Sequence, residues 1–176
     1  WRFVYQHLQA PHSAALDSAQ LNPAQKALRH KIHTTLQKVT RALGERYTFN
    51  TAIAANMELL NQLSAYQGQT DQDHAVVREG IEAMILMLAP IVPHITAQLW
   101  QHLGHTAIED EPWPDYDQAA LVQENIEFIV QVNGKLREKI MLAASADNDT
   151  IEAAALGSEK VQAFVQGQHI KKVIVV

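Results

Sequence analysis

Cysteine does not occur in this 176-residue chain, so neither a disulfide framework nor a thiolate metal site is available to it. No apolar run reaches the ~20 residues that span a bilayer, and the first residues show no signal-peptide pattern. No membrane partner is expected, and a soluble, cytoplasmic protein is the default. Net positive charge is also missing: 14 Lys and Arg against 19 Asp and Glu give a formal charge of −5. That balance argues against non-specific coating of nucleic acid and leaves room for local basic patches. There is no glycine-rich phosphate loop, and Ser13, Ser18, Ser64, Ser145 and Ser158 sit in no nucleophile-elbow context. His30 and His33, like His102 and His105, are three apart. With no cysteine and no Glu-x-x-His pattern, a third and fourth zinc ligand are wanting, so no metal site is expected and these histidines are read as solvent-facing or capping.

What the chain does have is helical periodicity interrupted at readable points. Its most apolar stretch runs from Met84 to Trp100 and contains two prolines. Val77, Ile81, Met84 and Leu88 form one stripe of a helix that must stop near Ala89, because Pro90 lacks an N–H and disfavours helical backbone in the residue before it. Pro93 suits a first helical position, and Ile95, Leu99, Trp100 and Leu103 continue as a second apolar face ending at Gly104.

Earlier in the chain, Trp1 to Leu8 reads as a helix with Phe3, Val4 and Leu8 available for burial, closed by Pro11. Asn22-Pro23-Ala24-Gln25 supplies an N-cap, a proline at the first helical position and a glutamine three residues after the cap. The stripe Leu28, Ile32, Leu36, Val39 and Leu43 follows, ending around Gly44. Lys26, His30, His33, Lys38 and Arg41 fall on the other faces of this helix, and no acidic residue stands between Asp17 and Glu45. A basic helix face is most often solvated surface, yet a helix built for solubility mixes signs, so phosphate contact is the functional reading. The next helix starts near Phe49, with Ile53, Met57, Leu60 and Leu63 as its expected stripe. Small residues at Ala52, Ala54 and Ala55 would let a neighbouring helix come close.

Beyond Gly104 the chain turns acidic and irregular around Pro112-Trp113-Pro114, where the Trp113 ring is expected to plug onto the bundle. Ile126 to Val132, the turn pair Asn133-Gly134 and Lys135 to Leu142 read as a β-hairpin. Strict alternation would place Lys135, Arg137 and Lys139 on one face, with Leu136, Ile140 and Leu142 on the other. Three cations at that period either protect an edge strand or track a phosphate backbone. Asp147 to Thr150 caps a helix with Ile151 and Ala155 that ends at Gly157, and a short helix with Val161, Phe164 and Val165 follows. Ile170 to Val176 reads as a last strand, with Lys171 and Lys172 at its start. The architecture expected is mainly α with a small α+β part: a helical bundle over 1–106, an acidic linker over 107–124 and a small ββααβ domain over 125–176.

Three segments in order resemble one family. Leu-Ala-Pro-Ile-Val-Pro-His-Ile-Thr, residues 88–96, is similar to the corner in the helical anticodon-binding domain of class I aminoacyl-tRNA synthetases of the leucyl, valyl, isoleucyl and methionyl group. Arg46 to Ala55 is similar to the Arg-x-x-Phe-Asn-Thr-Ala-Ile-Ala-Ala segment of leucyl-tRNA synthetases. Val130 to Ile140 resembles the Val-Gln-Val-Asn-Gly-Lys-x-Arg-x-Lys segment opening their small C-terminal domain, and the Asn-Gly-Lys-x-Arg hairpin speaks against the other members of the group.

The resemblance implies a parent enzyme that activates leucine with ATP and magnesium, transfers it to leucine-accepting tRNA and edits errors, in domains not present here. Neither a His-Ile-Gly-His nor a Lys-Met-Ser-Lys-Ser signature occurs, so this piece is expected to be a non-catalytic fragment; a monomer is also expected. It also implies that the bundle contacts the tRNA body and that the C-terminal domain reaches the tRNA elbow. The family chain continues past Val176 with another short apolar segment. Candidate RNA contacts are Lys135, Arg137 and Lys139, then Lys171 and Lys172, then Lys38 and Arg41. Few aromatics stand near these positions, so shape and phosphate contact are expected to outweigh base stacking. The rival reading is a protein-interaction module using the bundle face or the final strand.

Overall fold

The computed structural model describes residues 1–9, 15–122, 125–143, 146–165 and 172–174, and the chain divides into two units, Trp1–Val122 and Gln123–Val176. The segment read as a linker is part of the first unit as far as Val122.

The first unit is a bundle of α1 (Arg2–Leu8), α2 (Pro23–Gly44), α3 (Phe49–Ala65), α4 (Asp71–Leu88) and α5 (Pro93–His102), followed by the short α6 (Gln118–Leu121). Helix starts are set by local chemistry. Asn22 Oδ1 accepts the Gln25 N–H at 2.9 Å while Gln25 Oε1 accepts the Asn22 N–H at 2.8 Å. Thr70 and Asp73 form the same reciprocal box at the head of α4. Leu28, Ile32, Leu36 and Val39 of α2 are buried as expected, and Leu43 partly so.

α4 lies at the centre, packed against α2, α3 and α5. It buries more than one stripe: Val76, Val77, Gly80, Ile81, Ala83, Met84, Ile85 and Met87 are all covered. At Gly80 an added Cβ would stand 2.8 Å from Leu63 Cδ2 and 3.0 Å from Ile32 Cδ1. The absence of a side chain there is what lets three helices meet.

α3 departs from the expected face. Its buried residues are Ala52, Ala55, Asn56, Leu59 and Leu63, whereas Ile53 and Met57 are exposed, Met57 at 61%. Close helix approach selects the small side chains, so the stripe runs one position off the bulky ones. Ala52 and Ala55 have the role expected of them and Ala54 does not.

The corner forms as read. The Ile91 and Val92 N–H groups both donate to the Leu88 carbonyl at 2.9 Å, and Pro93 opens α5. Within α5 the covered residues are Thr96, Leu99 and Trp100, with Leu103 just beyond, while Ile95 is exposed. The Thr96 hydroxyl is satisfied by the Val92 and Pro93 carbonyls at 3.0 and 2.9 Å, which lets a polar residue take the buried position. Gly104 stops the helix in the left-handed region at φ +90, with the His105 N–H returning to the Trp100 carbonyl at 3.3 Å. The return segment then runs along α2. Trp113 stays 38% exposed and is tied there by its Nε1–H, which donates to the Thr40 hydroxyl at 2.8 Å.

In the second unit, β1 (Asn125–Val132) and β2 (Lys135–Ala143) pair antiparallel, covered by α7 (Asn148–Gly157) and α8 (Glu159–Val165). Asn133 and Gly134, at φ 51 and 74, make the expected two-residue turn. Asp147 caps α7 by accepting the Thr150 N–H at 2.9 Å. Ile151 of α7 and Val161 of α8 are buried. Of the strand read over 170–176 only 172–174 are described, and they lie outside regular structure. Lys171 and Pro11 lie outside the described residues.

Candidate functional site

The cations of α2 fall into two groups. In the N-terminal half the charge is consumed internally. The Arg29 guanidinium donates to both Glu79 oxygens, Nε reaching Oε2 at 2.9 Å, and pairs with Asp117 at 3.0 Å. Lys31 reaches Glu58 at 3.5 Å. His33 is buried rather than solvent-facing or capping, as its neighbours in the sequence had suggested. Its Nδ1 accepts the Asp117 N–H at 3.1 Å, so the hydrogen sits on Nε2, which donates to Glu79 at 3.1 Å. His30 takes the opposite tautomer: Nδ1 donates to the Ala120 carbonyl at 3.0 Å and Nε2 accepts the Thr34 hydroxyl. Burial would raise the Glu79 carboxyl, but the hydrogen bonds from His33 and Arg29, with the Arg29 charge, hold it below the usual range. The Ala119 N–H and then Arg29 lower Asp117 in the same sense.

The C-terminal half is different. Lys38 and Arg41 are exposed, as is Arg46 in the turn that follows, and none of the three forms an ion pair among the described residues. The free positive charge of α2 therefore gathers at one end.

The hairpin cations do not form the expected strip. Val130 pairs with Glu138 but Gln131 pairs with Leu136, so Arg137 is the extra residue of a β-bulge. The bulge shifts the alternation: Glu138, Ile140 and Leu142 are half-buried, and Lys139, Met141 and Ala143 exposed. Leu136, expected beside Ile140 and Leu142, is exposed. Arg137 turns to the covered side, its guanidinium 3.8 Å from the centre of the Phe164 ring of α8, its buried Nε without a hydrogen-bond partner among the described residues. Lys135 and Lys139 remain exposed, and so does Lys172. Glu138 anchors the same helix, accepting from Lys160 at 3.1 Å and from the Ser158 hydroxyl at 3.2 Å.

A cleft of about 460 Å³ in the first unit is lined by His7, His33, His74, Arg78, Glu79 and Glu82, with apolar neighbours. Its carboxylates are engaged: Glu82 accepts from Arg78 and pairs with His105, and Glu79 is held by Arg29 and His33. His105 itself stacks on Trp100 at 3.9 Å, and His102 is exposed, its Nδ1 donating to the Gln98 carbonyl. Among the described residues no three His, Cys, Asp or Glu side chains gather as a metal site. The Arg29–His33–Glu79–Asp117 network was missed in the sequence, where its one trace is the i, i+4 spacing of Arg29 and His33.

Residues 25–153 match the family described as the anticodon-binding domain of tRNA ligase. Over its whole length the chain is 48% identical to leucine–tRNA ligase of Alcanivorax borkumensis, covering 22% of it, and 50% identical to that of Hydrogenovibrio crunogenus, covering 20%. It thus spans about a fifth of the length of the curated relatives it matches. Among solved structures it is similar to the Agrobacterium radiobacter K84 agnB2 LeuRS in a ternary complex with tRNA and LeuAMS. The likeness has TM-score 0.77 and 25% identity, and covers 99% of this chain and 22% of that one.

Proposed function

Because this chain belongs to the anticodon-binding domain family of tRNA ligases, we propose that it positions leucine-accepting tRNA within a leucine–tRNA ligase. The observation that carries the reading is the cationic end of α2, Lys38 and Arg41 with Arg46 in the turn that follows, which form no ion pair among the described residues, in a chain whose net charge is −5. Phosphates fit such a surface, because each cation that meets one releases a counterion without first giving up a protein partner. On the second unit Lys135, Lys139 and Lys172 are the exposed contacts, with Lys171 next in the chain. Arg137, stacked on Phe164, serves the fold of the hairpin first. The role is positioning: phosphate contacts fix register and orientation, while the chemistry is done elsewhere.

Leucine, ATP and magnesium belong to the rest of the enzyme in this reading. The present residues do not fit them, having neither a glycine-rich loop nor, among those described, a carboxylate cluster suited to a divalent ion. A cytoplasmic, monomeric setting goes with it. The test is a salt titration of binding to leucine-accepting tRNA with an unrelated tRNA as competitor. Steep salt dependence is expected, and Lys38→Gln with Arg41→Gln should lower the log–log slope by about one for each cation neutralised. In the whole enzyme the same pair should lower aminoacylation and leave leucine activation unchanged. A slope unaffected by the pair, or an equal fall in activation, refutes the positioning role.

A further inference from the structure

We infer that the turn between α2 and α3 presents a stacking platform, Tyr47 and Phe49 beside Arg41 and Arg46, for an unpaired base of the bound RNA. The inference rests on the tRNA-positioning role above and extends it from phosphate to base. Aromatics were not expected to matter near the basic positions, yet here two are exposed among the unpaired cations.

Tyr47 is the telling residue. Its backbone is left-handed at φ 52, a conformation that costs a bulky L-residue free energy which Gly or Asn would avoid. The other non-glycine residue with positive φ among those described, Asn133, sits where a hairpin turn demands it. The strained backbone at Tyr47 places its ring in solvent, 75% exposed. The turn is held from beneath, the Thr48 N–H donating to the Ala42 carbonyl at 2.8 Å, so the geometry is built rather than loose. Selection for stability alone would not put tyrosine there, and strain of this kind persists where a surface has another use.

Phe49 is exposed as well, and Ile53 and Met57 continue from it at i, i+4 spacing, so the platform has an apolar floor along α3. Its surroundings set the chemistry of the occupant. Among the described residues Lys38, Arg41 and Arg46 form no ion pair, with Glu45 the acidic residue in the same turn. A ligand with a flat apolar face and a negative charge attached to it satisfies both features, and an unstacked nucleotide of an RNA loop is that ligand. Each base has a π-face, so such a platform adds affinity with little sequence preference. Arg46, next to Tyr47 in the chain, can add a guanidinium plane or a phosphate contact.

The experiment sets stability against affinity. In this 176-residue chain, Tyr47→Gly removes the ring and relieves the backbone, so the unfolding midpoint should rise while binding to a leucine-accepting tRNA transcript weakens about tenfold or more, at an unchanged salt slope. Tyr47→Trp should retain affinity, and Arg46→Gln should lower the salt slope by about one. Binding of Tyr47→Gly within twofold of the parent overturns the platform. So does an effect of Tyr47→Gly confined to self-association in sedimentation, which would make the face a protein-docking surface. If the parent chain itself shows no salt-dependent binding, the positioning role falls together with the platform. Failure confined to the Tyr47 variants leaves that role standing.

Discussion

Replacing Asp73 by Asn tests whether one buried carboxylate joins the head of α4 to α2. Oδ1 of Asp73 accepts from the Tyr66 hydroxyl at 2.5 Å and Gln25 Nε2 at 2.8 Å. Oδ2 accepts from the Gln69 and Thr70 N–H groups at 3.0 and 2.9 Å and from the Thr70 hydroxyl at 2.6 Å. All of this converges on a residue only 6% exposed. Burial alone would raise the carboxyl, but the hydrogen bonds from Thr70, Tyr66 and Gln25 hold it far below its ordinary value. Asparagine keeps the shape and offers one acceptor in place of two. With its carbonyl in the Oδ2 position, the amide NH₂ faces Tyr66, whose hydroxyl can rotate to accept, and Gln25 Nε2, which cannot. Gln25 is unable to flip because its Oε1 is committed to the Asn22 N–H. The opposite orientation strands two backbone N–H groups, so the first is adopted. One orphaned donor costs about 1–3 kcal/mol, and the remaining bonds lose their charge assistance, for a net loss of about 2–4 kcal/mol after the easier burial of a neutral amide is allowed for. Urea unfolding at pH 7 measures it. A folded pKa below the unfolded one gives stability that is complete above the unfolded value, ~3.9, and is lost as pH falls through the folded value. The gap between parent and variant should therefore narrow on the way to pH 3. Tyr66, pushed up to about 12 by burial and then by Asp73, should also titrate earlier in the variant. A loss below about 1 kcal/mol at pH 7, or a gap of constant size across that range, refutes the reasoning.

Arg29→Met should cost about 1–3 kcal/mol, less than the loss for a fully buried pair because Glu79 and Asp117 keep some access to water. Glu79 would then move back up, so the variant should lose less stability than the parent as pH falls below the ordinary glutamate range, in thermal melts between pH 6 and pH 3. Gly80→Ala gains about 1 kcal/mol of helix propensity but forces a Cβ to 2.8 Å from Leu63 and 3.0 Å from Ile32, both fully buried. Overpacking at about 1–3 kcal/mol should win, and a raised melting temperature would show that the core yields more easily than argued.

The parts legible in the sequence are those decided within a few residues. The Asn22–Gln25 cap, the Pro90 and Pro93 corner and the Asn133-Gly134 turn each depend on local backbone chemistry, and each stands where it was read. Choices made by distant partners were not legible. Ile53 and Met57 outrank Ala52 and Ala55 in hydrophobicity, so a pattern reading buries the larger residues. The closeness of the neighbouring helix decides for the smaller ones. His33 takes its partners from positions 46 and 84 residues away, and no local pattern announces either. On β2, alternation is a property of one strand while a bulge is a property of the pair, so Arg137 left the expected strip for a reason that lies in β1.

That division bears on how a surface for RNA is recognised in an acidic protein. Read along the chain, α2 looks uniformly basic, because no carboxylate interrupts it. In the fold its N-terminal half meets the acidic residues of other segments, Glu79 of α4, Glu58 of α3 and Asp117 of the return segment, and its charge is spent on holding the bundle together. Among the described residues, the far end, with the turn that follows, keeps Lys38, Arg41 and Arg46 without an ion pair. An Arg or Lys already paired in the protein must lose that partner to gain a phosphate, so its contribution to binding is small, whereas an unpaired one contributes the full release of a counterion. Counting basic residues along α2 would therefore overstate the proposed interface. Counting those left unpaired among the described residues puts the proposed contact at the far end, where Tyr47 and Phe49 are also exposed.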